Sequence, residues 1–103
     1  MHKRTKALAI SKAVKDAVWE RDGHECVICG SRAAAPEAHY ISRAQSGLGI
    51  EENIVTLCRN CHDKYDNSPM RAEIREVLRD YLMSRYPGWD ERNLIYRKWG
   101  HVE

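Results

Sequence analysis

Two Cys-x2-Cys pairs, Cys26/Cys29 and Cys58/Cys61, constrain this chain more than any other feature. Four thiolates at that spacing can close a tetrahedron around zinc, whereas one redox pair would not explain a matching second pair and disulfides suit an oxidising compartment. With 103 residues, the chain holds one small core, and domains of this size often add a metal to a thin stability margin. Residues 30–57, between the knuckles, exceed the roughly 15–20 residues usual in a zinc ribbon, so an insertion carrying His39 separates the two pairs.

Local signals place elements around the knuckles. Ser11 can cap a helix whose inner face is Val14, Ala17, Val18 and Trp19, ending at Arg21-Asp22-Gly23. Gly30 suits the positive φ that closes the first knuckle. Glu37 to Ile41 reads as a strand, 42–52 as the loop of a long hairpin, and Ile54 to Leu57 as its second strand. The second knuckle leads into a short helix from Cys61 to about Asp66. Ser68-Pro69 predicts a cap and first turn for a long helix to about Tyr86, with Met70, Ile74, Val77, Leu78, Tyr81 and Leu82 as one buried stripe. Pro87-Gly88 ends it, and Asp90 can cap a last short helix carrying Leu94, Ile95 and Trp99.

Net charge is only +2, but residues 1–15 carry Lys3, Arg4, Lys6, Lys12 and Lys15 with no acid, while the centre is net acidic. Such an arm can track a phosphate backbone or simply be a solvated terminus. No apolar run approaches the roughly 18 residues of a membrane span, and MHKRTKALAISK lacks the apolar stretch of a signal peptide. A soluble, cytoplasmic protein with no membrane partner is therefore expected.

Over about residues 14–66 the sequence resembles the HNH endonucleases of the ββα-metal fold. The matching residues are Cys26-x2-Cys29-Gly30, His39-x3-Arg43, Gly47, Asn53-Ile54-Val55 and Leu57-Cys58-x2-Cys61-His62. The resemblance implies an α+β fold: a ββα-metal core with a four-cysteine zinc site, preceded by an N-terminal helix and a basic arm (1–15) and followed by a helical C-terminal extension (69–103). It also implies DNA cleavage, in a small phage-like protein, leaving 5′-phosphate and 3′-hydroxyl ends. His39, Asn53 and His62 would be the catalytic trio. His39 is the base, because an imidazole is largely neutral at pH 7. His62 and Asp66, at i and i+4 on a helix, can share one hydrated Mg²⁺ or Mn²⁺, other divalent cations being possible. Asn53 supports the hairpin. Arg43, with Lys3, Arg4 and Lys6, would contact DNA, and Arg59 can grip a phosphate beside the cut.

One position departs from the family. The residue before the base is commonly an Asp or His that binds the cation, and here it is Ala38. A second register makes His39 the ligand and Tyr40 the base, although the spacing to Arg43 and Asn53 favours His39 as base. Glu37 can replace the ligand only if the strand bulges, because neighbours on a strand point to opposite faces. Otherwise His62, Asp66 and water hold the cation, or the chain is a non-catalytic zinc module that binds DNA or protein.

The remaining residues carry plainer expectations. Arg71, Arg75 and Arg79 would pair locally with Glu73, Glu76 and Asp80. Trp19, Trp89 and Trp99 would pack, unless the last two are exposed on the C-terminal helices as a surface for a homodimer or protein partner. His2, His24 and His101 match no ligand spacing.

Overall fold

The computed structural model describes residues 3–97; His2, Trp99 and His101 lie outside them. The element order is α1 (Lys3–Leu8), α2 (Lys12–Arg21), β1 (Ala34–His39), β2 (Ile54–Cys58), α3 (Arg59–Asn67) and α4 (Arg71–Arg85), with single 3-10 turns at Arg43–Gln45, Glu51–Asn53 and Glu91–Leu94. No helix among the described residues is long and apolar enough to cross a membrane.

Helix α2 begins where the Ser11 hydroxyl accepts from the Val14 N–H at 3.2 Å, satisfying one of the amides that a helix start leaves unpaired. Strands β1 and β2 pair antiparallel. Val55 and Leu57 join the main core with Tyr65 of α3 and Ile74, Leu78 and Leu82 of α4, while the alternating Ile54 and Thr56 are buried outside that cluster. The two-stranded sheet is thus covered on both faces, which a bare hairpin needs in order to be stable.

Several boundaries differ from the sequence expectation. Strand β1 starts at Ala34 and stops at His39, because Ala34 pairs with Cys58 and the register slips between Ala35 and Ala38. Helix α3 starts at Arg59, capped by the Cys58 sulfur, which accepts from the Cys61 N–H at 3.4 Å. Ser68 does not cap α4: its hydroxyl donates to the Lys64 carbonyl at 2.6 Å and accepts from the Met70 N–H, tying the end of α3 to a turn that delays α4 until Arg71. The buried stripe of α4 is correspondingly narrow, with Ile74, Leu78 and Leu82 inside and Met70 and Val77 exposed. Arg75 and Arg79 reach Glu91 rather than their helix neighbours, and Arg71 lies over the Tyr65 ring, so long-range partners replace the local pairing.

The Arg21-Asp22 pair is more than a turn signal. Arg21 sends Nε and one terminal nitrogen to the Asp22 carboxylate (2.7 and 3.0 Å) and the rest of its fork to the Glu51 and Ile54 carbonyls and the Tyr86 hydroxyl. Asp22 also accepts from the Thr56 N–H at 2.8 Å and the Tyr81 hydroxyl at 2.5 Å. All five guanidinium N–H groups are used, joining α2, the hairpin and α4. Arg21→Ala leaves the buried Asp22 carboxylate without its countercharge. It should lower the urea-unfolding free energy by about 3–5 kcal/mol, and a loss within 1 kcal/mol, on the order of an exposed pair, would contradict this role.

Candidate functional site

The four cysteine sulfurs, two from the first knuckle and two from the end of β2 and the start of α3, all lie within 4.8 Å of one another. The Cys29 and Cys58 sulfurs are 3.6 Å apart, close to the edge of about 3.8 Å that follows from a tetrahedron with Zn–S near 2.3 Å. Gly30 takes φ +79° as the knuckle requires. Burial raises the Cys26 pKa, but amides of Cys29, Cys58 and Ile28 pull it further the other way, to about 7. Burial and the neighbouring thiols push Cys61 up, and, against a hydrogen bond from the Ser31 backbone, the Cys58 and Cys26 thiols push Cys29 up, as expected where four thiols crowd together. These residues fit a metal ion such as zinc.

The hairpin loop 42–52 is long but tightly held. The Asn53 side chain, fully buried, accepts from the Ile41 N–H at 2.8 Å and donates to the Ile41 and Leu48 carbonyls at 3.1 and 2.8 Å. Its own carbonyl receives the Tyr40 N–H at 2.7 Å. Gly47 is required where the loop crosses itself, since a Cβ there would lie 1.7 Å from the Ile41 oxygen. On the outer side, Leu48 donates to the Leu94 carbonyl and Tyr96 to the Ser46 carbonyl, each at 2.8 Å, so the C-terminal segment braces the loop.

His39, at the end of β1, is partly buried, and its Nε2 lies 2.9 Å from the Leu8 carbonyl. A carbonyl only accepts, so Nε2 carries the proton and Nδ1 is the basic nitrogen. Burial lowers the His39 pKa, the charges of Arg43 and His62 lower it further, and the Leu8 hydrogen bond only partly opposes them. His62 and Asp66 on α3 meet at 3.3 Å, as the i, i+4 spacing requires.

The lowered pKa has a measurable consequence. Below the ordinary value near ~6.5 the unfolded chain binds the proton more readily than folded His39 does. The stability owed to neutral His39 is therefore complete above that value and lost as pH falls through the folded one. Between about pH 7 and pH 5 the wild type should lose more stability in urea than His39→Gln, and parallel losses would contradict the assignment.

Other expected residues fall in different surroundings. Ala38 is 1% exposed and packs in the main core. Tyr40, the base in the second register, is fully buried; burial and its hydrogen bond to Glu91 raise its pKa further, which removes it as a base. Between Ala35 and Ala38, β1 spends one more residue than β2, so the strand does bulge at Pro36-Glu37. Glu37 lines an open groove of about 470 Å³ with Arg59 and His62, and it also pairs with Lys15 at 3.3 Å. Among the described residues only the four cysteines bring three or more donor groups together. Arg43 is exposed, as are Lys3 and Lys6. Arg4 turns inward instead, bonding the Ser46 hydroxyl and the Arg43 carbonyl (3.0 Å), because Leu8 anchors α1 in the core. Trp19 stacks on His24 and Trp89 packs edge-on against Tyr40, as packing residues would. The Arg21-Asp22 hub and the Leu8 contact escaped sequence reading; the apolar run Ala7 to Ile10 inside the basic arm was the available signal for the second.

A hairpin with a long, fastened loop, followed by a helix and joined to it by a four-sulfur site, defines the ββα-metal class. Residues 26–68 match the HNH family, described as HNH endonuclease. The match covers less than half of the chain and makes the central segment similar to HNH domains, which are nuclease-type units that generally bind DNA. The chain is also similar to Anaredoxin of Nostoc sp. (strain PCC 7120), 28% identical over 54 residues that span 52% of this chain and 71% of that protein.

Proposed function

We propose that this chain is a metal-dependent endonuclease that hydrolyses DNA phosphodiester bonds. The observation that carries this reading is the partly buried His39 ring, fixed by the Leu8 carbonyl at the end of β1, together with the His62-Asp66 pair on α3, both inside the HNH-like segment. Nδ1 of His39 takes a proton from the attacking water, with Nε2 held by Leu8 so that the ring cannot present its protonated edge. His62 and Asp66 would hold a divalent cation, with Glu37 across the groove. Two protein donors suit Mg²⁺ or Mn²⁺, which keep several waters and lean on substrate phosphate. When bound, the cation offsets charge on the phosphoryl oxygens and the departing 3′ oxygen. Arg43 and Arg59 face the phosphates, Lys3 and Lys6 extend that contact, and Asn53 keeps the loop in register. The four cysteines hold structural zinc.

One such site cuts one strand, so double-strand cleavage needs a second copy, a second encounter or a partner. The core placement of Ala38 favours one other reading, a zinc module that binds DNA without cutting it. Zinc-loaded protein should relax supercoiled plasmid only when Mg²⁺ or Mn²⁺ is supplied. Retention of DNA in a gel-shift with no relaxation under any divalent cation would select the binding module.

A further inference from the structure

The HNH match begins at Cys26, yet the atom that holds the His39 ring comes from Leu8, ahead of the match. Helix α1 spans six residues, too short to persist alone. Its last carbonyls have no partner within the helix. The hairpin supplies them: the Gly49 N–H donates to the Ala7 carbonyl at 3.0 Å, and His39 Nε2 occupies the Leu8 carbonyl at 2.9 Å. Gly49 makes this approach possible, because a Cβ there would stand 2.1 Å from the Ala9 oxygen and 2.9 Å from the Leu8 oxygen. Leu8 buries its side chain in the same place, and Arg4 fastens the start of the helix to the loop at Ser46 and Arg43.

We propose that residues 3–9 are a positioning element for His39: the Leu8 carbonyl, seated on Gly49, holds the ring as the Nε2–H tautomer and leaves Nδ1 as its one proton acceptor. The catalytic meaning of this contact rests on the nuclease reading; the tautomer does not. Without the carbonyl the neutral ring distributes its proton between both nitrogens and rotates, so the acceptor nitrogen is correctly placed only part of the time. An N-terminal segment outside the HNH match thus completes the site.

The test is a ¹⁵N correlation spectrum of the histidine rings of the zinc-loaded full chain, above the ring's titration range, without DNA or added Mg²⁺. His39 should show a protonated Nε2 and an unprotonated Nδ1. Gly49→Ala should shift His39 toward a mixture of tautomers and lower the nicking kcat by about 10–100-fold with KM little changed, the usual effect of removing a group that orients a functional histidine. Should Gly49→Ala fail to fold by circular dichroism, Arg4→Ala, which loosens the same helix, is read in the same way. A wild-type His39 protonated on Nδ1, or a folded variant that keeps both the Nε2–H tautomer and wild-type kcat, overturns the proposal. A wild type with the expected tautomer that nicks no DNA sinks the nuclease reading alone.

Discussion

His39→Ala should lower plasmid nicking by about 10²–10⁴-fold at matched zinc content, the range that a positioned general base supplies. The size of the effect follows from the state of the ring. Burial and the neighbouring charges of Arg43 and His62 keep it neutral, so most molecules hold a competent base at pH 7. Because the ring is tied to the fold by one hydrogen bond to Leu8, its loss should spare the zinc knuckles and the main core. The deficit should therefore fall on kcat, with zinc stoichiometry and far-UV circular dichroism close to wild type. Equal cutting by the two proteins would remove His39 from the chemistry.

Cys58→Ala should release the metal and unfold the hairpin region, since structural zinc contributes on the order of 10 kcal/mol in small modules. Cys58 serves two ends at once. Its sulfur belongs to the four-thiol cluster and also caps α3, accepting the Cys61 N–H. It pairs with Ala34 at the end of the sheet, beside the Val27 N–H that donates to the Thr56 carbonyl. Losing the thiol therefore loosens the first knuckle, the hairpin and the start of the helix that carries His62 and Asp66. Chelation of the wild type should reproduce the variant. An unchanged circular dichroism spectrum after chelation would show that the core and the Arg21-Asp22 hub hold the fold unaided.

Most of the helices and the second strand were legible along the chain because their signals are local. A serine before α2, two Cys-x2-Cys knuckles and the Ile-Val-Thr-Leu run at β2 act over a few residues, within the reach of spacing rules. Asn53 entered through the family resemblance alone, and its bonds to Ile41 and Leu48 could not be read from local spacing. Neither the Arg21 hub nor the Leu8 contact could be found in this way. Arg21 reaches Glu51, Ile54 and Tyr86, and Leu8 reaches His39; nothing local distinguishes Arg21 from a solvated turn, and the apolar run Ala7 to Ile10 signals burial in the arm without saying what it meets. The bulge at Pro36-Glu37 was legible only as a condition, because one extra residue in β1 becomes visible only against the register of β2.

Spacing alone determined which side chains are available: four thiols in two matched pairs, an imidazole on each side of a long loop, and an asparagine at the loop's end. Packing decided what those groups experience. The proton on His39, the burial of Ala38, the inward turn of Arg4 and the groove shared by Glu37, Arg59 and His62 all depend on distant segments meeting. Charge, solvent exclusion and hydrogen-bond geometry are properties of that three-dimensional neighbourhood, which no short window of sequence contains.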